Sequence, residues 1–191
     1  MVGRPRDERV DQAILAATRG VLAEQGYSRL TVDAVAAAAG VGKAAIYRRY
    51  ASKHELVFAA AVHDVDLEPP PDGGSLTADL TALVREILDS LGAPTARAAA
   101  PGLISDFLSD PALADRFEET FLARERACVR AALDRAVARG EIEAPPERDL
   151  AHSLILGPVF AWLYIFRRQE EESFARDLVV RVEAALRHTP V

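Results

Sequence analysis

The chain has 191 residues, of which 50% are hydrophobic and 27% charged, with a formal net charge of −6. This is the balance of a globular chain with ample material for a hydrophobic core. Its longest uncharged apolar run, residues 154–166, is shorter than the about 20 residues that cross a bilayer, so we expect no membrane span. The single cysteine, Cys128, excludes an internal disulfide, and the N-terminal residues do not form a secretory signal, so we expect a cytoplasmic protein.

Alanine is abundant, whereas β-branched and aromatic residues are sparse, which predicts an all-α fold. Charge is unevenly distributed along the chain. Residues 1–58 hold nine Lys and Arg against six Asp and Glu, while residues 59–191 hold 14 against 23. A basic N-terminal region on an acidic remainder predicts that only the N-terminal region meets a polyanion.

Two helices are predicted before residue 40. Apolar spacing over 7–25 indicates the first, and Gly26 stands where a left-handed C-cap glycine is expected. The second begins after Thr31, a good N-cap, and stops at Gly40, with Asp33 in its first turn facing the positive end of the helix.

A glycine turn and a basic helix follow. Residues 40–42 form the turn, in which both glycines are able to take positive φ. A short third helix is predicted over 43–50, and Ser52 with Glu55 forms a capping box at the start of a fourth helix. An alanine-rich helix, a glycine turn and a basic helix of roughly 12 Å suit a helix-turn-helix whose last helix enters a major groove. An ordinary alanine-rich helical hairpin is the alternative.

The segment "LTVDAVAAAAGVGKAAIYRRYASKHELV" resembles the DNA-binding signature of TetR-type bacterial transcription regulators, and the resemblance covers roughly residues 7–58. Three positions depart from the pattern. Gly42 and Ala45 stand where the family often has serine and threonine, and Tyr50 stands where phenylalanine or tryptophan is usual. The first two departures each remove a hydroxyl that binds phosphate, so affinity must depend more on Arg and Lys.

A helical wheel divides the third helix into a buried and a DNA-facing side. Ile46 and Tyr50 are assigned to the small core of the motif. The candidates for base contacts are then Lys43, Ala44, Tyr47 and Arg48. Lysine donates to guanine acceptors, alanine contacts the thymine methyl, and arginine pairs bidentately with guanine.

Contacts to phosphates are implied by the resemblance at four positions, namely Thr31, Tyr47, Arg49 and Lys53. Arg4 and Arg6 flank a proline that stiffens the N-terminal arm, and we expect them to reach the DNA backbone or the minor groove. A solvated tail is the alternative for this arm.

The acidic remainder contains further helices after a break at residues 66–75 that is rich in proline and glycine. Helices are predicted over 76–92, 96–108, 111–139, 148–168 and 173–187, which gives about nine in all. The third of these is capped by Asp110 and stopped by Gly140. We therefore predict a DNA-binding domain over 1–58 and an effector-binding and dimerisation domain over 59–191.

The run 154–166 is apolar on every side, so its helix must be buried on every side. One face packs on the core and the other on a second subunit, unless the helix is the centre of a monomeric core. Pro158 should kink the helix, and the resemblance implies a dimer formed by the last two helices. The residues assigned to the dimer interface are Leu154, Gly157, Phe160, Phe166 and Val180.

The resemblance also implies that a small molecule enters the C-terminal helices and changes the separation of the two DNA-binding regions. The residues assigned to its pocket are Phe107, Phe121, Cys128, Trp162 and Tyr164. Aromatic residues at helical spacing are also typical of plain core. Since no polar constellation surrounds these residues, an apolar effector is predicted.

Other classes of protein are less well supported. The four histidines are scattered, and no hydrolase triad, metalloprotease motif or P-loop appears, so we expect no catalytic residue, metal or cofactor. The motif at His63, Asp64 and Asp66 suits a solvated helix end better than a metal site. Cys128 suits the core better than a thiol sensor. A sequence-nonspecific architectural binder is disfavoured by the acidic remainder.

We therefore predict a sequence-specific transcription regulator, namely a homodimeric repressor released from a palindromic operator by an effector. A ligand-responsive activator is the alternative that the sequence leaves open.

Overall fold

The computed structural model describes residues 4–63, 67–169 and 172–187, with the side chains of residues 4–7 excluded. These residues form helices and no strand, which confirms the predicted all-α fold. The helices are α1 Arg4–Gln25, α2 Val32–Ala39, α3 Lys43–Tyr47, α4 Lys53–Ala61, α5 Leu76–Gly92, α6 Pro94–Ser109, α7 Pro111–Phe117, α8 Ala123–Ala138, α9 Arg148–Phe160 and α10 Glu172–Arg187.

The predicted caps of the N-terminal helices are largely confirmed. Gly26 and Gly40 have φ of 74° and 66°, in the left-handed region that favours glycine. The hydroxyl of Thr31 accepts a hydrogen bond of 3.2 Å from the backbone N–H of Ala34 at the start of α2. Gly42, the other glycine of this turn, does not use its freedom to take positive φ, since it is the extended N-cap of α3 with φ −76°.

Helix α3 ends at Tyr47, three residues before the predicted end at Tyr50. The backbone N–H groups of Arg49 and Tyr50 both donate to the carbonyl of Ile46, at 2.9 and 3.0 Å. Because one carbonyl accepts from two donors, the turn after Tyr47 is tighter than a regular α-helical turn. The regular helix therefore stops at Tyr47, although hydrogen bonds of helical type continue to Tyr50.

The N-cap hydroxyl of Ser52 at α4 accepts from the backbone N–H of Glu55 at 3.1 Å. The Glu55 carboxylate accepts from the N–H of Ala51 at 2.9 Å, one residue before the position that a standard capping box uses. The start of α4 is therefore fixed by two side chains, as predicted.

Two predicted helices contain π-helical segments. Residues Glu118–Leu122 separate α7 from α8 within the predicted helix 111–139, and Ala161–Ile165 follows α9 within the predicted helix 148–168. When these segments are counted with the helices they extend, the described residues form nine helices, the number expected. The second segment begins three residues after Pro158, whose ring disrupts regular helix geometry.

The chain divides into two compact units. The first comprises the described parts of residues 1–64 together with residues 93–117, and within it α4 packs against α1 and α6. Residues Leu56–Ala61 of α4 are all buried. The predicted domain boundary at residue 58 falls inside α4 and stays a prediction.

The second unit comprises the described parts of residues 65–92 and 118–191. Its core is formed by α5, α8, α9 and α10. The fully or almost fully buried residues at its centre include Leu80, Val84, Leu88, Ala132, Leu133, Ile155, Val159 and Leu163.

In the second unit, a cluster of charged side chains surrounds Asp79, which is fully buried. Its carboxylate accepts from the backbone N–H of Gly73 at 2.9 Å, from Nη2 of Arg135 at 3.0 Å and from Nη2 of Arg139 at 2.9 Å. Burial by itself raises the pKa of Asp79. The hydrogen bonds from Arg135, Gly73 and Arg139 outweigh burial and hold this pKa below its usual value.

Replacing Asp79 with Asn should lower the free energy of unfolding by about 3 kcal/mol at pH 7, because two arginines lose a shared, buried counter-charge. The control Asp72→Asn removes a carboxylate that is 56% exposed and 2.9 Å from Arg139. That control should cost about 1 kcal/mol or less. Urea unfolding of both variants measures the difference.

The difference in unfolding free energy between wild type and Asp79→Asn should also depend on pH. Because the folded pKa of Asp79 is lowered, its contribution is present above the unfolded pKa of about 3.9 and is lost as the pH falls through the folded pKa. The stability gap between wild type and Asp79→Asn should therefore shrink below about pH 4. A gap that stays constant down to pH 2 would contradict the assigned role of the carboxylate.

Candidate nucleic-acid interface

The side chains of residues 43–50, which form α3 and the turn after it, separate into a buried and an exposed set. Ile46 and Tyr50 are 1% and 4% exposed, which confirms their predicted place in the core of the motif. The four candidates for base contacts, Lys43, Ala44, Tyr47 and Arg48, are all exposed. Tyr47 is 51% exposed, unusually high for a large aromatic side chain. The structure therefore brings the four candidates together on the outer side of α3.

Lys43 forms an ion pair across the turn. Its Nζ lies 2.9 Å from Oδ1 of Asp33 in the first turn of α2, and both side chains are more than half exposed. The hydrogen bond to Asp33 and its negative charge raise the pKa of Lys43. An exposed pair of this kind is weak, so the ammonium group is free to exchange Asp33 for an acceptor on DNA.

Thr31 and Lys53 lie at the first turns of two helices. Thr31 is exposed, and because its oxygen accepts from Ala34, its own O–H remains able to donate to a phosphate oxygen. Lys53 is the first residue of α4, and its Nζ donates to the carbonyl of Tyr27 at 3.2 Å. Its Nζ also lies 4.6 Å from the centre of the Tyr27 ring, a cation–π contact.

Arg49 is placed differently from the other phosphate candidates. Its side chain is only 13% exposed and pairs with Asp11 in α1, while Nη1 donates to the carbonyl of Ala45 at 3.1 Å. Asp11 precedes Ile14 and Leu15 by three and four residues, a spacing that places it beside the buried face of α1. This spacing marks Asp11 as a charged side chain beside a buried face, but it does not identify Arg49 as its partner.

Arg4 and Arg6 belong to the first turn of α1, but the structure describes only their backbone. Their contact with DNA stays a prediction, as do the other assigned DNA contacts.

The five residues assigned to an effector pocket fall in both units. Phe107 belongs to the first unit, where its ring stacks on Phe117 at 4.2 Å between centroids. The others belong to the second unit. Phe121 is fully buried, and the hydroxyl of Tyr164 donates to the carbonyl of Leu91 at 2.9 Å. These contacts are those of packed core, and the pocket stays a prediction.

Cys128 is 4% exposed within the core of the second unit. Burial, together with the negative charges of Glu86 and Glu125, raises the pKa of its thiol to about 11. The thiol is therefore protonated at neutral pH and suits the core, because the thiolate is the reactive form.

The outer side of α9 is apolar and exposed, although the sequence predicted burial on every side. Leu150, near the start of α9, is 51% exposed, and Ile165 and Phe166, at the end of the apolar run beyond α9, are 66% and 64% exposed. Gly157 is exposed between them, and a Cβ built there has no neighbour within 4 Å. The opposite side, with Ala151, Ile155 and Val159, is buried as predicted; the other faces are not. Within the described residues of one chain the core side of α9 is covered, and burial of the outer side by a second subunit stays a prediction.

Two of the remaining dimer candidates, Leu154 and Val180, border separate grooves of the second unit. Leu154 and Trp162 border a groove of about 460 Å³ between α9 and α10, where the Trp162 ring stacks on Phe174 at 4.3 Å. Phe160 stacks on Tyr164 at 4.7 Å. Val180 is 59% exposed and borders a different groove, together with residues of α5.

Among the described residues, no group of three or more His, Cys, Asp and Glu side chains is arranged to hold a metal ion. Asp64 and Asp66 of the His63 motif lie outside these residues. Within the same ranges, no helix is long and apolar enough to cross a membrane.

A glycine-linked pair of short helices, the second with its apolar side buried and its basic and aromatic side exposed, defines a helix-turn-helix DNA-binding protein. The family model for bacterial regulatory proteins of the tetR family matches residues 14–60. The model for the tetracyclin repressor-like C-terminal domain matches residues 70–182. The chain belongs to the TetR family of bacterial transcription regulators.

Several relatives are similar over most of their length. The chain is 40% identical over 147 residues to the HTH-type transcriptional regulator Mb1581 of Mycobacterium bovis, covering 75% of this chain and 71% of that protein. It is 35% identical over 154 residues to the DNA-binding transcriptional repressor TetR of Mycobacteroides abscessus, covering 78% and 79%. The crystal structure of the TetR family transcription regulator SCO0332 is similar with a TM-score of 0.72 at 26% identity, covering 92% and 97%.

We expect the side chains assigned to phosphates and to base edges to have separable effects on DNA binding. Lys53→Ala should weaken binding to every duplex and lower the slope of log affinity against log salt by about one, because it removes one phosphate contact. Arg48→Ala should instead relax the preference at particular base pairs and cost about 1–3 kcal/mol on the preferred site only. Titrations over a range of salt on preferred and scrambled duplexes measure both effects. Uniform losses for both variants would contradict this division.

Proposed function

We propose that the chain represses transcription by binding a palindromic operator as a homodimer, and that a small apolar effector releases it. The observation that carries the proposal is the placement of α3. Its apolar side is fixed by Ile46 and Tyr50, and its exposed side presents Lys43, Tyr47 and Arg48. This arrangement supports insertion of α3 into a major groove, where these side chains reach base edges.

The phosphate contacts proposed for this complex come from the residues around α3. Thr31 and Lys53 lie at the starts of α2 and α4, where backbone N–H groups also favour an anion. Arg49 is less suited to this role, since its guanidinium already pairs with Asp11 and bonds to Ala45. We therefore include Thr31, Tyr47 and Lys53 in the proposed contact set and assign Arg49 to fixing α1 against α3.

The homodimer is supported by the exposed apolar side of α9. Leu150, Ile165 and Phe166 are large apolar side chains that are each more than half exposed, and exposed apolar surface is typical of protein interfaces. Gly157 provides an open position at which a second helix can approach closely. A dimer also suits DNA recognition, because one short helix specifies few base pairs whereas two copies about 34–36 Å apart read a palindrome.

Repression rather than activation is supported by the relative from Mycobacteroides abscessus, which is described as a transcriptional repressor. An apolar effector is supported by the apolar character of the candidates in the second unit, above all Phe121 and Trp162. Release by an effector requires that it bind the two states of the regulator with different affinity.

Selection of bound sequences from random duplex DNA with the purified chain tests the proposal. We expect a palindromic consensus whose half-sites are about one helical turn apart, and weaker binding when the spacing is changed by half a turn. Compounds that release the chain from this site then identify the effector. Recovery of no preferred sequence would favour a nonspecific architectural role instead.

The dimer interface is tested by Gly157→Arg. The side chain should prevent close approach of a second α9, so the variant should be monomeric at micromolar concentration and bind the palindrome at least tenfold more weakly. Because a Cβ at Gly157 has no neighbour within 4 Å, the subunit itself should fold. Gly20→Arg is the matched control, since Gly20 is also an exposed helical glycine with an open Cβ position. Sedimentation showing a dimer for both variants would refute the assigned interface.

A further inference from the structure

Tyr27, in the loop between α1 and α2, bonds to α6 within the first unit. Its hydroxyl donates to Oδ2 of Asp106. Burial and then the hydrogen bond to Asp106 raise the pKa of Tyr27, so the phenol keeps its proton and acts as the donor. Nε2 of His54 in α4 lies 3.2 Å from the same oxygen. One carboxylate oxygen of α6 therefore holds side chains from the α1–α2 loop and from α4.

Gly102 lies one helical turn before Asp106, on the same side of α6. A Cβ at this position would lie 2.1 Å from Cδ1 and 2.6 Å from Cε1 of Tyr27. Only glycine leaves enough room for the ring here. Helix α6 thus fixes Tyr27 at two points, with the ring seated against Gly102 and the hydroxyl bonded to Asp106.

The position of Tyr27 in turn fixes Lys53. Nζ of Lys53 lies 4.6 Å from the centre of the Tyr27 ring and donates to the Tyr27 carbonyl at 3.2 Å. A lysine side chain has four rotatable carbons and loses conformational entropy when it is held against a partner. Because two contacts to Tyr27 already restrict this side chain, less entropy remains to be lost when it binds a phosphate.

We propose that Asp106 is a positioning residue for DNA binding, which acts through Tyr27 to hold Lys53 in place for contact with a phosphate. The proposal rests on the proposed DNA-binding role of Lys53. It adds a residue of α6, about 50 positions beyond the helix-turn-helix in the chain, to the set that determines affinity.

The affinity of the full chain for a mixed-sequence duplex of about 30 base pairs, measured by fluorescence anisotropy over a range of salt, tests the proposal. Asp106→Ala should weaken binding about five- to tenfold at 0.1 M salt, the size of one phosphate contact. Asp115→Ala is the matched control, because it removes the same charge from an exposed position of α7. Loss of a negative charge alone favours DNA binding, so the control should bind as tightly as wild type or more tightly.

Three further variants separate positioning from a general structural role. Asp106→Asn keeps a carbonyl acceptor for the Tyr27 hydroxyl and should restore most of the affinity. Tyr27→Phe deletes only the hydroxyl and should reproduce the loss, which keeps the test valid should Asp106→Ala unfold the chain. In a Lys53→Ala background, Asp106→Ala should cause no additional loss and no further change in salt slope.

Equal losses from Asp106→Ala with and without Lys53 would overturn the proposal, as would binding by Asp106→Ala that matches the Asp115→Ala control. Failure of the wild-type chain to bind the duplex at low salt would refute the proposed function itself. Binding by wild type without the predicted difference between variants refutes only the positioning role.

Discussion

The candidate DNA-binding surface depends on the burial of Ile46 and Tyr50. Helix α3 has five residues and no side-chain cap at its start, so it is far too short to be stable by its own hydrogen bonds. Its orientation is set by these two side chains, which are 1% and 4% exposed. The ion pair between Arg49 and Asp11 joins the same turn to α1. With Ile46 and Tyr50 buried, the four assigned base-contact residues, Lys43, Ala44, Tyr47 and Arg48, are left exposed.

Local features of the fold were predictable from sequence, and features set by distant residues were not. Gly26, Thr31, Ser52 and Gly140 mark helix ends through backbone and capping chemistry that involves only neighbours in the chain. The partner of Arg49 and the cluster around Asp79 are different, because they join residues 38 and about 60 positions apart. No spacing rule gives such pairs, and Arg49 was assigned to phosphate from the family resemblance instead.

The same distinction explains α9. Its uncharged run is a strong signal of burial, but sequence periodicity does not say whether the covering surface belongs to the same chain. Within the described residues, α9 buries Ala151, Ile155 and Val159 and leaves Gly157 and Phe166 exposed. A core face and an exposed apolar face on one helix are what a helix shared between two subunits requires. After the π-helical segment, Phe166 is 64% exposed, whereas Trp162 and Tyr164 within it pack against the core.

The first compact unit is assembled from two separate stretches of chain, with α5 encoded between them. On the ribosome, α4 emerges well before α6, the helix that packs against it. From Ala61 to Ser109 the chain grows by 48 residues, which takes roughly 2–10 s at typical bacterial elongation rates. During this interval the side of α4 that α6 covers in the folded unit is uncovered in the nascent chain. The DNA-binding end of the protein is thus begun first but completed only after α6 has been synthesised.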